Sequence, residues 1–239
     1  MSRQPTKKKQ PSANTTANTS LTPKEFEPAT NGQIQVQRNF NRYDVISCRG
    51  MPGTGKTFWL MYLALREILK KGSPYRRLVI VRSTVPVRKS GYLPGTSDEK
   101  NAPYKAPYIA HCTKIFGRPD AFEILTKHKM IAFEPTDFLR GTEYNDCIVI
   151  VDECQNMSWS ELHTINTRFG ENCKMSFCGD TGQDDLTSAR YHEESGYREM
   201  IELHSKIPGC FDIYFGPDDI LRSGYVKQYI LALYGDVVL

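Results

Sequence analysis

Eight residues carry the strongest chemical signal in this sequence. From Gly50 to Thr57 the chain reads GMPGTGKT, which matches G-x-x-x-x-G-K-[ST] at every fixed position. An apolar run with strand character, Asp44 to Cys48, precedes it, and a run with helix character, Phe58 to Lys70, follows. In that setting Gly50, Gly53 and Gly55 let backbone N–H groups converge on an anion, and the following helix aims its positive dipole end at the same place. Met51, Pro52 and Thr54 complete the loop around a nucleotide. Lys56 adds an ammonium for the β- and γ-phosphates, and Thr57 offers a hydroxyl to Mg²⁺, a cation that prefers oxygen ligands. A glycine-rich turn that matches by chance is the competing reading, and the flanking strand and helix weigh against it.

The partner of such a loop is a carboxylate leaving a buried strand. CIVIVDECQN, Cys147 to Asn156, supplies one: an apolar run ends in Asp152 and Glu153, ninety-six residues after Lys56. Asp152 is placed to hold Mg²⁺ through water, and Glu153 to polarise an attacking water, which favours hydrolysis over transfer to a small acceptor. A further strand, KMSFCGD, stops at Asp180, and Gln183 follows three residues on. Carboxyl ends of strands are where open α/β sheets bind ligands, so Asp180 and Gln183 join the site as second-tier residues able to reach the γ-phosphate or the lytic water. Upstream, Gln33 in EPATNGQIQVQRNF precedes the loop by about twenty residues. It reads either as an amide for the adenine edge or as an ordinary polar surface residue.

The elements around these residues alternate between strand and helix patterns. LVIVR (Leu78 to Arg82) and Met130 to Phe133 read as further strands, residues 108–128 and Trp159 to Phe169 as helices, Tyr197 to His204 as a helix, Cys210 to Phe215 as a strand, and Asp218 to Leu233 as a closing helix with Arg222 in its first turns. That order predicts an α/β fold with a mostly parallel sheet between helices. From Ser83 to about Pro107 the pattern breaks into a stretch rich in Pro, Gly and charge. There Arg82, Arg88, Lys89, Lys100 and Lys105 interleave with Tyr92, Tyr104 and Tyr108, a mixture suited to single-stranded nucleic acid. The alternative is a solvated insertion packed on its own domain or on a neighbouring subunit.

At 239 residues the chain fits one ordinary domain and a tail. Residues 1–22 are polar and read as a disordered tail, whose Lys7, Lys8 and Lys9 either brush phosphate or are simply solvated; residues 23–239 form the domain. Arg3 and those three lysines account for the whole net charge of +4, so the body is balanced and a nucleic-acid groove would have to come from local patches. The seven cysteines form no C-x-x-C pair and read as reduced, structural thiols, which points to a cytoplasmic protein. The five histidines show no metal-ligand spacing. No apolar run reaches the ~18 residues of a membrane span.

Taken in order, GMPGTGKT, GYLPGTSDEKNAPYKAP, RGTEYND, VDECQN, TRFG, GDTGQDD and DILRSGYVKQYI resemble the PhoH-like ATPases, relatives of superfamily 1 helicases with a single RecA-like domain. The likeness covers roughly residues 28–235. It implies ATP binding and hydrolysis with Mg²⁺, a link to single-stranded RNA or DNA through binding, translocation or unwinding, and homo-oligomers such as a hexameric ring. It also implies an arginine finger arriving from a neighbouring subunit, for which Arg168 and Arg222 are the candidates, with Arg140 a weaker third. Cys154 stands where relatives usually carry alanine, and RGTEYN lacks a second arginine found in relatives. Two rival functions stay open: a nucleotide-gated nucleic-acid-binding module with little hydrolysis, and a kinase of a small acceptor.

Overall fold

The computed structural model describes residues 20–84, 97–139, 141, 143–180 and 195–234. Gln183, Arg140, Lys7 to Lys9 and the Arg88, Lys89 and Tyr92 of the Pro- and Gly-rich stretch lie outside the described residues.

Among the described residues six strands form one parallel sheet: β1 (Val45–Gly50), β2 (Arg77–Arg82), β3 (Ile131–Pro135), β4 (Cys147–Asp152), β5 (Cys173–Asp180) and β6 (Cys210–Phe215). Their spatial order is β3-β2-β4-β5-β1-β6. Parallel neighbours need long crossovers, and the helices that make them cover both faces. The crossover helices are α2 (Lys56–Leu69), α3 (Ser97–Phe116), α4 (Ala121–Lys127), α5 (Trp159–Asn166) and α6 (Tyr197–His204), while α1 (Asn31–Asn39) precedes β1 and α7 (Gly224–Tyr234) follows β6.

The strand sequences divide between the two faces with period two. Leu78, Ile80, Ile148 and Ile150 pack with Trp59, Leu60 and Leu63 of α2 and with Cys112 and Ile115 of α3. Val79, Val81, Val149 and Val151 pack on the opposite face with Leu162 and Ile165 of α5 and Met200 of α6. Continuous apolar runs such as IVIV are what a strand buried on both faces requires.

The structure departs from the sequence reading in two places. Part of the stretch read as irregular is helix: α3 begins at Ser97 and carries Pro103 and Pro107 inside it. Interior prolines normally break a helix. Here Tyr108, Cys112 and Ile115, spaced four and three apart, are fully buried against the sheet, and that packing outweighs propensity. Gly117, at φ +70°, then separates α3 from α4 within what reads as one helical pattern. At the other end, the closing helix starts only at Gly224. A 3-10 turn, Pro217–Asp219, comes first, and the Asp219 carboxylate accepts from Gly32 N (2.8 Å) and Gly216 N (2.9 Å). Leu221 N then donates to Gly53 O (3.0 Å), which holds the chain in an extended path over the glycine-rich loop.

Register places the chemically interesting residues on one rim. Gly50 pairs with Asp180 and with Phe215, and Arg82 pairs with Asp152, so all stand at the carboxyl edge of the sheet.

Candidate active site

The loop between β1 and α2 is shaped by glycines at positive φ, where a side chain would be strained. Gly50 sits at φ +133°, and a Cβ there would lie 2.1 Å from the Phe215 carbonyl oxygen. Gly55, at φ +78°, caps α2 without a side-chain partner, which leaves the first amides of that helix facing the cleft. Thr54 is buried and its hydroxyl donates to Met51 O (3.0 Å). Lys56 Nζ donates to Met51 O (2.7 Å) and to Thr54 Oγ1 (3.3 Å) and forms an ion pair with Asp180 Oδ1 at 2.6 Å.

Across the cleft, Asp152 is 5% exposed and both carboxylate oxygens are held. Thr57 donates to Oδ1 (2.8 Å) and the Tyr108 hydroxyl to Oδ2 (2.8 Å). Glu153 follows in a left-handed conformation, φ +56°, which turns the chain sharply as it leaves β4. Gln155 Nε2 donates to Glu153 Oε2 (2.6 Å), and Gln155 Oε1 accepts from Asp180 N (3.0 Å). One buried amide therefore ties the ends of β4 and β5 together. The Arg82 guanidinium stands 3.9 Å from Glu153 Oε1. Burial and the neighbouring Asp152 charge raise the Glu153 pKa above the usual carboxylate range, while Arg82 and the Gln155 hydrogen bond oppose the rise. Cys154 is fully buried, donates to Val151 O (3.2 Å), and burial pushes its thiol pKa well up, so it packs rather than reacts.

Gly53, Gly55, Lys56, Thr57, Asp152 and Glu153 thus line a single cleft of about 230 Å³, joined by Asp180, His111 and Arg222. Met51 lies behind the loop, buried with Ile220 and Ile230. Gln33 is buried at the loop's flank: its Oε1 accepts from Ala29 N (2.8 Å) and its Nε2 donates to Thr54 O (3.3 Å). In this arrangement its amide braces the phosphate loop.

The two described arginine-finger candidates part company. Arg222, expected to act on a neighbouring subunit, lies on the cleft of its own chain, with Cγ 2.9 Å from where a Gly53 Cβ would stand. The extended path of residues 220–223, rather than a helix, puts it there. Arg168 Nη2 donates to Leu139 O, its backbone carbonyl accepts from Tyr144 N (2.8 Å), and the Tyr144 hydroxyl donates to Glu134 (2.9 Å). It holds the turn after α5 and is not among the cleft-lining residues.

Several contributors escaped the sequence reading. Tyr108 and Arg82, grouped there with residues suited to nucleic acid, face inward: Tyr108 is fully buried on Asp152, and Arg82 lies over the rings of Tyr104 and Tyr108 (5.9 and 6.0 Å). Tyr104 donates to Thr84 O (2.9 Å). The Tyr108 ring is closed to a base while it is buried on Asp152, whereas Tyr104 is only half-buried. Gln155 was visible within VDECQN without a role, and His111 had no local signal. Among the described residues no group of His, Cys, Asp and Glu has the geometry of a metal cluster, and no helix is long and apolar enough to cross a membrane.

Comparison with known proteins bears on this cleft. The model of a family described as PhoH-like protein matches residues 25–234. A PhoH-like protein of Synechocystis is 30% identical over 201 residues, covering 84% of this chain and 60% of the relative. One from Bacillus subtilis is 30% identical over 210 residues, covering 87% of this chain and 64% of the relative. The chain therefore spans about three fifths of the length of these curated relatives. Among solved structures, the large terminase of a thermophilic bacteriophage aligns with a TM-score of 0.51 at 12% identity, over 86% of this chain and 50% of that one. At that identity the likeness concerns the α/β fold alone.

Proposed function

The chain belongs to the PhoH-like protein family, and on that premise we propose that it binds ATP and hydrolyses it, with hydrolysis coupled to single-stranded RNA or DNA. One observation carries the reading. Lys56, Thr57, Asp152 and Glu153, brought from two distant segments, line one cleft at the carboxyl edge of the sheet.

In this account the α2 amides and Lys56 grip the phosphates, and Glu153 orients a water whose oxygen attacks the γ-phosphorus as the bond to the β,γ-bridging oxygen breaks. The donor set fits magnesium: Thr57 Oγ1 and Asp152 Oδ1 are hard oxygen donors 2.8 Å apart, and these two residues would hold the ion. When bound, it supplies positive charge to the phosphate oxygens. Arg222, which lines the cleft of its own chain, would add a cation beside the bound phosphates. Gln33 braces the loop, and an adenine-reading role for it requires the amide to exchange one of its backbone partners for the base. The nucleic-acid part is supported by the family resemblance and by Tyr225 and Tyr229, exposed rings 6.2 Å apart on α7 on which bases could stack.

The reading with little hydrolysis, a nucleotide-gated binding module, draws on one observation: the catalytic lysine is already paired with Asp180. Steady-state ATP hydrolysis with Mg²⁺, run across protein concentrations with and without single-stranded RNA and DNA, separates the two. Turnover that one nucleic acid stimulates supports the coupled ATPase. A rate equal to that of Lys56→Ala, with ATP-dependent nucleic-acid binding, supports the gated module. A rate per subunit that climbs with protein concentration would add assembly into homo-oligomers.

A further inference from the structure

The described part of the Pro-containing excursion is built into the catalytic wall rather than standing apart from it. Tyr104, Tyr108 and His111 lie four and three residues apart on α3, hence on one face. That face meets the acidic pair. The Tyr108 hydroxyl donates to Asp152, His111 lines the cleft and meets Phe58 edge to face at 5.5 Å, and the rings of Tyr104 and Tyr108 lie against Arg82.

Arg82 is the joint between this face and Glu153. It is the last residue of β2, the strand beside β4, and its register partner is Asp152. Its side chain is 21% exposed, lies over two aromatic rings, and presents the guanidinium to Glu153 Oε1 at 3.9 Å. A planar cation lodged this way has few alternative rotamers, and it meets a glutamate whose other oxygen is held by Gln155. Glu153 thus has a donor or cation on each oxygen, one delivered by β4's own turn and the other by α3 through Arg82.

We propose that Arg82 is a positioning residue for Glu153, held in place by Tyr104 and Tyr108, so that the seating of α3 on the sheet sets the orientation of the water-activating carboxylate. This rests on the ATPase reading above. It makes α3 an element through which a shift of the excursion alters turnover. It also assigns Arg82 a task behind the cleft-lining Glu153 in place of phosphate binding on a nucleic acid.

The test uses the full chain with Arg82→Gln, which removes the charge at similar length, and Arg82→Lys, which keeps a charge and loses the planar fork. Steady-state hydrolysis gives kcat and KM, and titration with a fluorescent ATP analogue gives affinity. Arg82→Gln is expected to lower kcat about tenfold or more with KM and affinity within about twofold, and Arg82→Lys to recover part of the loss. In a double-mutant cycle with Glu153→Asp, which moves the carboxylate, the effects are expected to be non-additive. Unchanged kcat in Arg82→Gln overturns the proposal. So does a matched loss of kcat, affinity and thermal stability, or strict additivity with Glu153→Asp, because each describes a purely structural arginine. Should the wild type itself turn over no faster than Lys56→Ala, the ATPase reading fails, and the inference fails with it for that separate reason.

Discussion

The two walls of the cleft are built differently. The phosphate wall comes from one continuous piece of chain, Gly50 to Thr57, bent by glycines at positive φ and closed by the first turn of α2. The acidic wall is assembled from the ends of β2, β4 and β5 and one face of α3, and its contacts join residues as far apart as Tyr108 and Asp152 or Gln155 and Asp180. A wall encoded locally should fail locally, by losing nucleotide. A wall assembled from four elements should fail in turnover first and should respond to substitutions far along the chain.

The largest effect expected is at the phosphate wall. Lys56→Ala removes the ammonium and leaves Asp180 without its partner, and ATP affinity should fall at least ~100-fold, about 2.7 kcal/mol, in an equilibrium titration. Retained affinity would mean that the amides alone hold the phosphates. Asp180→Asn tests the opposite side of the same ion pair. It should lower the stability of the nucleotide-free protein by about 2 kcal/mol, less than for a fully buried pair because Lys56 keeps the Met51 carbonyl and the Thr54 hydroxyl as partners. It should also enlarge the thermal stabilisation given by ATP, since Lys56 no longer has to leave a carboxylate; equal stabilisation in variant and wild type would deny that competition.

Tyr108→Phe probes the assembled wall with one atom. The ring stays buried while Asp152 Oδ2 loses a donor, so kcat should fall about threefold to tenfold, stability by about 1 kcal/mol, and affinity should hold within about twofold. A fall in affinity alone would merge the two walls into one.

The smallest effect lies away from the cleft. His204, buried between Ser47 (3.0 Å) and Asn166 (2.8 Å), has its pKa lowered below 6.5 by burial, with Asp212 opposing. The native state favours the neutral ring, so its contribution to stability is complete above pH 6.5 and is lost as pH falls below it. His204→Gln should flatten that part of a pH series of denaturant midpoints and leave ATP affinity unchanged; an unaltered pH series would remove His204 from the account.

The same contrast explains what could be read from the sequence. β1, α2, β4 and β5 were legible because strand runs buried on both faces and a loop of fixed spacing are local signals. Asp152 and Glu153 were legible because they end such a run. The seating of Tyr108 on Asp152 was not, because it depends on a helix whose prolines argue against a helix, and whose formation follows from packing. The placement of Arg222 in its own cleft was hidden for a related reason. Two hydrogen bonds to Asp219 and one from Leu221 to the glycine loop unwind what the local pattern presents as a helix.

Glu153→Gln tests the division between the walls most directly, with ATP binding and product formation followed on the same protein under single-turnover conditions. The phosphate wall is untouched, and Gln155 and Arg82 still surround an isosteric side chain that can no longer accept a proton. The account predicts affinity within about twofold of wild type and product formation slowed ~100-fold or more. Turnover at the wild-type rate, or loss of binding in step with turnover, would contradict it.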